Sequence, residues 1–360
     1  MLTDKAVVMK CKIIPSDLKA IINSISKIES DTLLLVVDNK VYSLLEQEMD
    51  IVQEIQNKGK KVILWKSSEG EKAKSFDEYQ CCVEFFLEKG IHRNCHLVAI
   101  GGGATTDFGG FVASTLLRGI KWTCVPTTLL AMIDAGIGGK TGINSKSGKN
   151  LIGSFYLPEN VYINTAFLQT LPQREISSGL GEMIKYSFLN RSIYEELIKG
   201  KDYKEQIINC AQFKQQIVEE DFLELKNRKF LNLGHTFGHG LERIYNIPHG
   251  IAVVWGMALI FKIIQEENYL SELRLLLDIL KWQEVDPPWH NKRFPSKDLY
   301  DYISRDKKRT SRNSIDLILL DKIGTPKIEK FFLDDLEKKL DKHESKLRIF
   351  NLRSAGHIIF

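Results

Sequence analysis

Between residues 33 and 125 short apolar runs alternate with helical patterns. A chain written in that order buries its strands most readily as a parallel sheet covered by helices. Residues 33–37 (LLLVV) stop at Asp38-Asn39, and residues 62–65 (VILW) stop before the polar Ser67-Ser68-Glu69-Gly70. Phe76, Tyr79, Val83, Phe86 and Leu87 then recur at helical spacing, with Lys89-Gly90 as a stop. Residues 97–100 form a third strand running straight into Gly101-Gly102-Gly103, and residues 121–125 a fourth, closed by Pro126. The pattern predicts an α/β N-terminal nucleotide-binding domain with a parallel sheet, over residues 1–170.

Beyond residue 170 strand signals thin out. Helical patterns cover 176–189, 203–225, 233–245 and 251–268, so residues 171–360 are expected to form a mainly α-helical C-terminal domain. The charged run 337–348 reads as a solvated helix face, and no internal repeat is present. The weakly charged stretch 97–117 holds five glycines and Asp107, which suits strand, turn and helix better than a membrane span.

Fifty basic and 46 acidic side chains leave a net charge of +4, too little to drive binding to nucleic acid or a membrane surface. The six cysteines show no paired metal spacing and the first residues lack the apolar core of a signal peptide. Free thiols in a reducing cytoplasm are therefore expected.

Three clusters carry chemistry. Gly101-Gly102-Gly103-Ala104-Thr105-Thr106-Asp107 lies between strand and helix, where bare backbone and helix N–H groups can meet a phosphate, and it differs from the GxGxxG dehydrogenase fingerprint. His235 and His239 stand four apart, on one helical face, with His249 further on; Glu182 and Lys185, three apart, share another. Arg118, Lys140, Lys149, Lys185, Lys214, Arg228 and the pair Lys307-Lys308 sit in glycine-rich or uncharged surroundings, and buried or half-buried cations need anions. Together they imply a small substrate carrying phosphate or carboxylate.

These residues resemble the 3-dehydroquinate synthases of the sugar phosphate cyclase family. The resemblance runs from Asp38 to Gly324 through motifs in the right order: residues 70–75 (GEKAKS), the triple glycine with Asp107, Arg118-Gly119, residues 126–144 (PTTLLAMIDAGIGGKTGIN), Gly148-Lys149-Asn150, Glu182 with Lys185, residues 231–239 (LNLGHTFGH), His249-Gly250 and Asp306-Lys307-Lys308. It implies conversion of 3-deoxy-arabino-heptulosonate 7-phosphate to 3-dehydroquinate and phosphate in the shikimate pathway of aromatic amino acid biosynthesis, with NAD regenerated in each turnover. It also implies a homodimer. The family's metal ligands map onto Glu182, His235 and His249, for zinc with cobalt as a possible substitute, and leave His239 to the substrate.

By the same resemblance Arg118, Lys140, Asn150, Lys185, Lys214, Arg228, Asn232, His239 and Lys307 or Lys308 line the substrate, with Asp134 near the reacting hydroxyl. The cofactor set is Asp38, Glu71, Lys74, Gly102, Gly103, Ala104, Thr105, Thr106, Asp107, Thr127, Thr128, Lys149, Phe167, Leu168, Gln169, Thr170, Leu171 and Glu175. Two places depart from the family pattern: Thr106 stands where glycine is common, which suggests a helix N-cap, and Ala135-Gly136 stand where serines are common. The alternatives are a cyclase of secondary metabolism acting on another sugar phosphate, and a metal-dependent polyol dehydrogenase that would release NADH.

Overall fold

A computed structural model describes residues 11–265, 267–305, 309–311 and 313–353. It divides into two compact units, one of residues 1–171 and 211–223, the other of residues 172–210 and 224–360.

The first unit is built on six strands: β1 (Lys12–Pro15), β2 (Thr32–Asp38), β3 (Lys61–Ser67), β4 (His96–Gly101), β5 (Trp122–Pro126) and, after the antiparallel hairpin β6 (Lys140–Ser145) and β7 (Gly148–Phe155), β8 (Asn160–Ile163). Their order is β1-β8-β5-β4-β2-β3 and every pairing is parallel. Every residue of β2 and β4 is buried, which is why both read as unbroken apolar runs rather than alternating ones. Leu33, Leu35, Val37, Val98, Ile100 and Val125 share one core with Ile21, Ile22 and Ile25 of the helix Leu18–Ser26. Gly109 lets the helix Gly103–Thr115 lie close to β4, since a Cβ there would fall 2.6 Å from that of Ala99.

The chain goes from β2 to β3 on one side and returns to β4 on the other side of β2. The reversal point lies between the C-terminal ends of β2 and β4, where open parallel sheets characteristically bind ligands. Asp38 ends β2 and Gly101 ends β4, so the carboxylate and the triple glycine sit side by side.

The second unit is mainly helical. Its helices include Gln173–Leu189, His235–Tyr245, His249–Leu259 and Leu333–Arg348. Helix formation starts at His235 because Gly234 holds φ +79, and at His249 because Pro248 precedes it. The expected helix 251–268 stops at Leu259 and passes into a π-helical turn, Ile260–Ile264. The charged C-terminal run is a helix that buries Leu333, Leu336, Leu340 and Leu347 and exposes its charges. Beyond the expectation, the unit also holds an antiparallel sheet of β9 (Arg309–Ser311), β10 (Ser314–Lys322) and β11 (Thr325–Phe332). The expected helix 203–225 is regular only over Ile207–Glu220, and its part from residue 211 onward packs with the first unit.

No helix among the described residues is long and apolar enough to cross a membrane. All six cysteines are free thiols, and Cys81 alone among them is exposed.

Candidate active site

In the first unit Gly102 occupies the N-cap of the helix Gly103–Thr115, so Thr106 is not the cap. Its hydroxyl instead donates to the Gly103 carbonyl at 3.0 Å, inside the first turn. Gly102 lies against Thr128, whose methyl would meet a Cβ there at 3.0 Å, and Gly103 lies equally close to Ala135. Small residues thus leave the first turn's N–H groups approachable for an anion. Thr127 donates its N–H to the Gly101 carbonyl and joins the end of β5 to the same loop.

Asp38 caps the helix Asn39–Glu48: its Oδ1 accepts from the N–H groups of Lys40 and Val41 at 2.9 and 3.2 Å. Thr105 donates to its Oδ2 at 3.5 Å.

A polar chain runs beside the triple glycine. Lys74, on the turn Gly70–Lys74, is almost fully buried; it pairs with Asp107 at 2.6 Å and hydrogen-bonds the Asn150 side chain. The N–H of Asn150, at φ +56, donates to the Asn144 side chain, which donates to Glu71 at 2.7 Å. Burial pushes the Asp107 carboxyl up to about 6, against the pull of Lys74. Lys214 reaches Asp134, on a π-helical turn, at both its carbonyl (2.6 Å) and its carboxylate (2.7 Å).

Phe167, Leu168, Gln169 and Thr170 form a 3-10 turn, with Leu171 hydrogen-bonded back to it. Phe167 packs on the sheet core, Leu168 is buried, and Gln169, Thr170 and Glu175 are exposed. Arg118, Lys140 and Lys149 are also exposed, which corrects the expectation that the glycine-flanked cations are buried. Glycine flanks Arg118 because the chain turns there: Arg118 and Gly119 have φ +68 and +111. Among the described residues the buried lysines and arginines are Lys74, Lys185, Lys214 and Arg228.

In the second unit Glu182, fully buried on the helix Gln173–Leu189, forms an ion pair with Lys185 one turn on. Its Oε1 lies 3.7 Å from His235 Nε2 and 3.3 Å from His249 Nε2. Ring nitrogens of His235, His239 and His249 lie within 4.8 Å of one another. His235 Nδ1 donates to the Leu233 carbonyl at 3.1 Å, and His249 Nδ1 to Glu242 at 3.0 Å. Both Nδ1 protons are thereby assigned, so both Nε2 lone pairs point toward a carboxylate oxygen.

Three lone pairs converging on one point require a cation or a proton. Without a metal the arrangement supplies a proton: burial alone would lower His249, but hydrogen bonds with Glu182 and Glu242 hold it up to about 10. Two ligand atoms each about 2.0 to 2.1 Å from a tetrahedral ion stand roughly 3.3 Å apart, so the observed spacings fit a metal.

Arg228 and Asn232 lie on the turn Asn227–Asn232, where the Asn232 side chain donates to Glu224 at 3.0 Å. Lys307 and Lys308 lie outside the described residues. Reading the sequence missed Asn144, Glu224 and Glu242. Glu242 carried a signal, because it stands seven residues after His235 and three after His239, on their helical face.

The family model described as 3-dehydroquinate synthase N-terminal matches residues 64–178, and that described as 3-dehydroquinate synthase C-terminal matches residues 179–309. A 3-dehydroquinate synthase of Staphylococcus epidermidis is 37% identical over 334 residues, covering 86% of this chain and 89% of the relative. One from Staphylococcus haemolyticus is 40% identical over 281 residues, 72% and 76% of the two chains. The solved structure of a 2-epi-5-epi-valiolone synthase from Streptomyces hygroscopicus, with NAD+ and Zn2+ bound, shares the fold at a TM-score of 0.79 and 23% identity, covering 96% of this chain and 99% of the other. With family models along 64–309 and relatives near 40% identity over most of its length, the chain belongs to the 3-dehydroquinate synthase family.

Proposed function

We propose that the chain converts 3-deoxy-arabino-heptulosonate 7-phosphate to 3-dehydroquinate and phosphate, as a lyase dependent on NAD and a divalent metal. The observation that carries the reading is the convergence of Glu182 Oε1 with the Nε2 atoms of His235 and His249, in a chain of this family. NAD supplies a reversible hydride acceptor, and the ion, zinc or cobalt, supplies a Lewis acid at the hydroxyl to be oxidised.

Glu182, His235 and His249 hold the ion. Three protein ligands leave coordination positions open for substrate oxygens. Lys185 balances the buried Glu182 carboxylate, so the site does not carry an uncompensated charge. His239, with a ring nitrogen within 4.8 Å of those of His235 and His249, is near enough to serve as a ligand too, and it is the family mapping that assigns it to the substrate.

In the first unit the helix start at Gly102, with Thr127 and Thr128, binds cofactor phosphates through backbone and hydroxyl groups. Lys74, itself paired with Asp107, hydrogen-bonds the side chain of Asn150, whose backbone is left-handed. Lys214 orients Asp134 beside the reacting hydroxyl, and proton movement there runs between groups already in hydrogen-bond contact. Arg118 and Lys140, both exposed, are the first unit's cations for the substrate's phosphate, and in the second unit Arg228 and Asn232 share the turn Asn227–Asn232.

The test is incubation with the heptulosonate phosphate, zinc and a catalytic amount of NAD, with phosphate, dehydroquinate and NADH followed together. Phosphate and dehydroquinate are expected in equal amounts with no accumulation of NADH, because oxidation and reduction occur on one bound molecule. Reduction of all the added NAD without phosphate release would mark a polyol dehydrogenase, and no turnover of this substrate beside turnover of another sugar phosphate would mark a related cyclase.

A further inference from the structure

The ring nitrogen of His249 that faces away from Glu182 is held by Glu242, and we infer that Glu242 is a positioning residue of the metal site, fixing the tautomer, direction and donor strength of His249. The inference rests on the proposed metal reading and adds to it a residue outside the ligand set. Glu242 lies on the helix His235–Tyr245, two turns after His235 and on its face, whereas His249 begins the next helix. One helix therefore supplies both a direct ligand and the group that aims the ligand borne by its neighbour.

The geometry distinguishes this contact from an incidental surface pair. His249 Nδ1 to Glu242 Oε2 is 3.0 Å, and the other ring nitrogen is 3.3 Å from Glu182 Oε1. The imidazole is thus gripped between two carboxylates, and a Nδ1–H donated to Glu242 forces the Nε2 lone pair to face Glu182. An anionic acceptor on the far nitrogen also increases the ring's donation to a metal, beyond what a backbone carbonyl supplies to His235. Removing such a partner typically costs 10- to 100-fold in metal affinity.

Glu242→Gln keeps an acceptor and removes the charge; Glu242→Ala removes both. Each would be compared with wild type and with His249→Ala, using zinc affinity from competition with a chromophoric chelator, the visible absorption of the cobalt-substituted protein, and the melting temperature of the metal-free protein. The expected order of affinity is wild type, then Gln, then Ala, with Ala weakened roughly 10- to 100-fold. An altered cobalt spectrum and a metal-free melting temperature close to wild type are expected to accompany it. Wild-type affinity and spectrum in both variants, with His249→Ala strongly impaired, would overturn the role of Glu242 while leaving the metal reading intact. Equal metal binding by wild type and His249→Ala would instead remove the metal reading itself. If Ala lost affinity only together with its fold and Gln matched wild type in both readouts, Glu242 would be a packing residue and the inference would fail.

Discussion

Asp38 serves two ends with one carboxylate. Oδ1 accepts from the first N–H groups of the next helix, and Oδ2 stands toward Thr105 at the sheet's reversal point, where a ribose hydroxyl could be bound. A 2′-phosphate there would meet like charge, so wild type is expected to bind NAD more tightly than NADP. Asp38→Ala should weaken NAD and narrow that lead, as dissociation constants for both cofactors would show. Because it also removes a cap, it should lower stability by about 1 kcal/mol in chemical denaturation; a stability loss with unchanged cofactor preference would make Asp38 a cap alone. At the proposed metal site, Glu182→Ala, His235→Ala and His249→Ala should each reduce zinc content, while His239→Ala should slow turnover with zinc retained. Metal analysis beside rates decides this, and zinc lost from the His239 variant but kept by the His249 variant would reverse the assignment. The sequence offered these side chains as candidates. Their protonation was not legible there, since it depends on Leu233 and Glu242, which are found only once the helices pack.

Among elements, the helices Gln173–Leu189 and His249–Leu259 owe their closeness to glycine. A Cβ on Gly250 would fall 1.7 Å from the Ser178 carbonyl oxygen, and one on Gly181 2.1 Å from that of Gly250. Gly250→Ala should therefore push the helices apart, draw His249 away from Glu182, and cost 1–3 kcal/mol or more together with zinc affinity; calorimetry and metal content would show both losses. In the sheet, burial lowers His96 at the start of β4 to about 4, with Thr123 at 2.9 Å. The unfolded chain takes up the proton near 6.5 and the folded one only near 4, so stability is fully present above 6.5 and declines as pH falls between those values. His96→Gln should remove up to about 3 kcal/mol of that decline, measured as the difference between the two proteins' denaturation curves from pH 7 to 4. The strands β2, β4 and β5 were legible because full burial writes them as unbroken apolar runs, and β3 was legible from its run VILW although only Ile63 and Ser67 of it are buried. The hairpin β6–β7 was not, because most of β7 is exposed and its sequence, GKNLIGSF, has no apolar face. In β10 the run Ile315 to Leu320 is interrupted by Asp316, and it pairs with the largely exposed β11, so a reading tuned to helical spacing passed over it.

At the scale of the whole molecule, the α/β and helical halves were legible in outline, but the path of the chain between them was not. Residues 172–210 belong to one unit, 211–223 to the other, and the chain then returns to the first of these for the remainder. No local pattern could have announced this, since the helix Ile207–Glu220 reads as continuous amphipathic sequence across the boundary. Lys214, which grips Asp134, and Phe222, whose ring packs edge-on against Phe155 at 5.5 Å, both arrive on the returning segment. The half that bears the triple glycine is consequently not a portable cassette. A gene cut after codon 171 and spliced to a foreign partner would encode the sheet intact yet deliver it without the cation for Asp134, so recombination among chains of this kind must exchange both stretches together or neither.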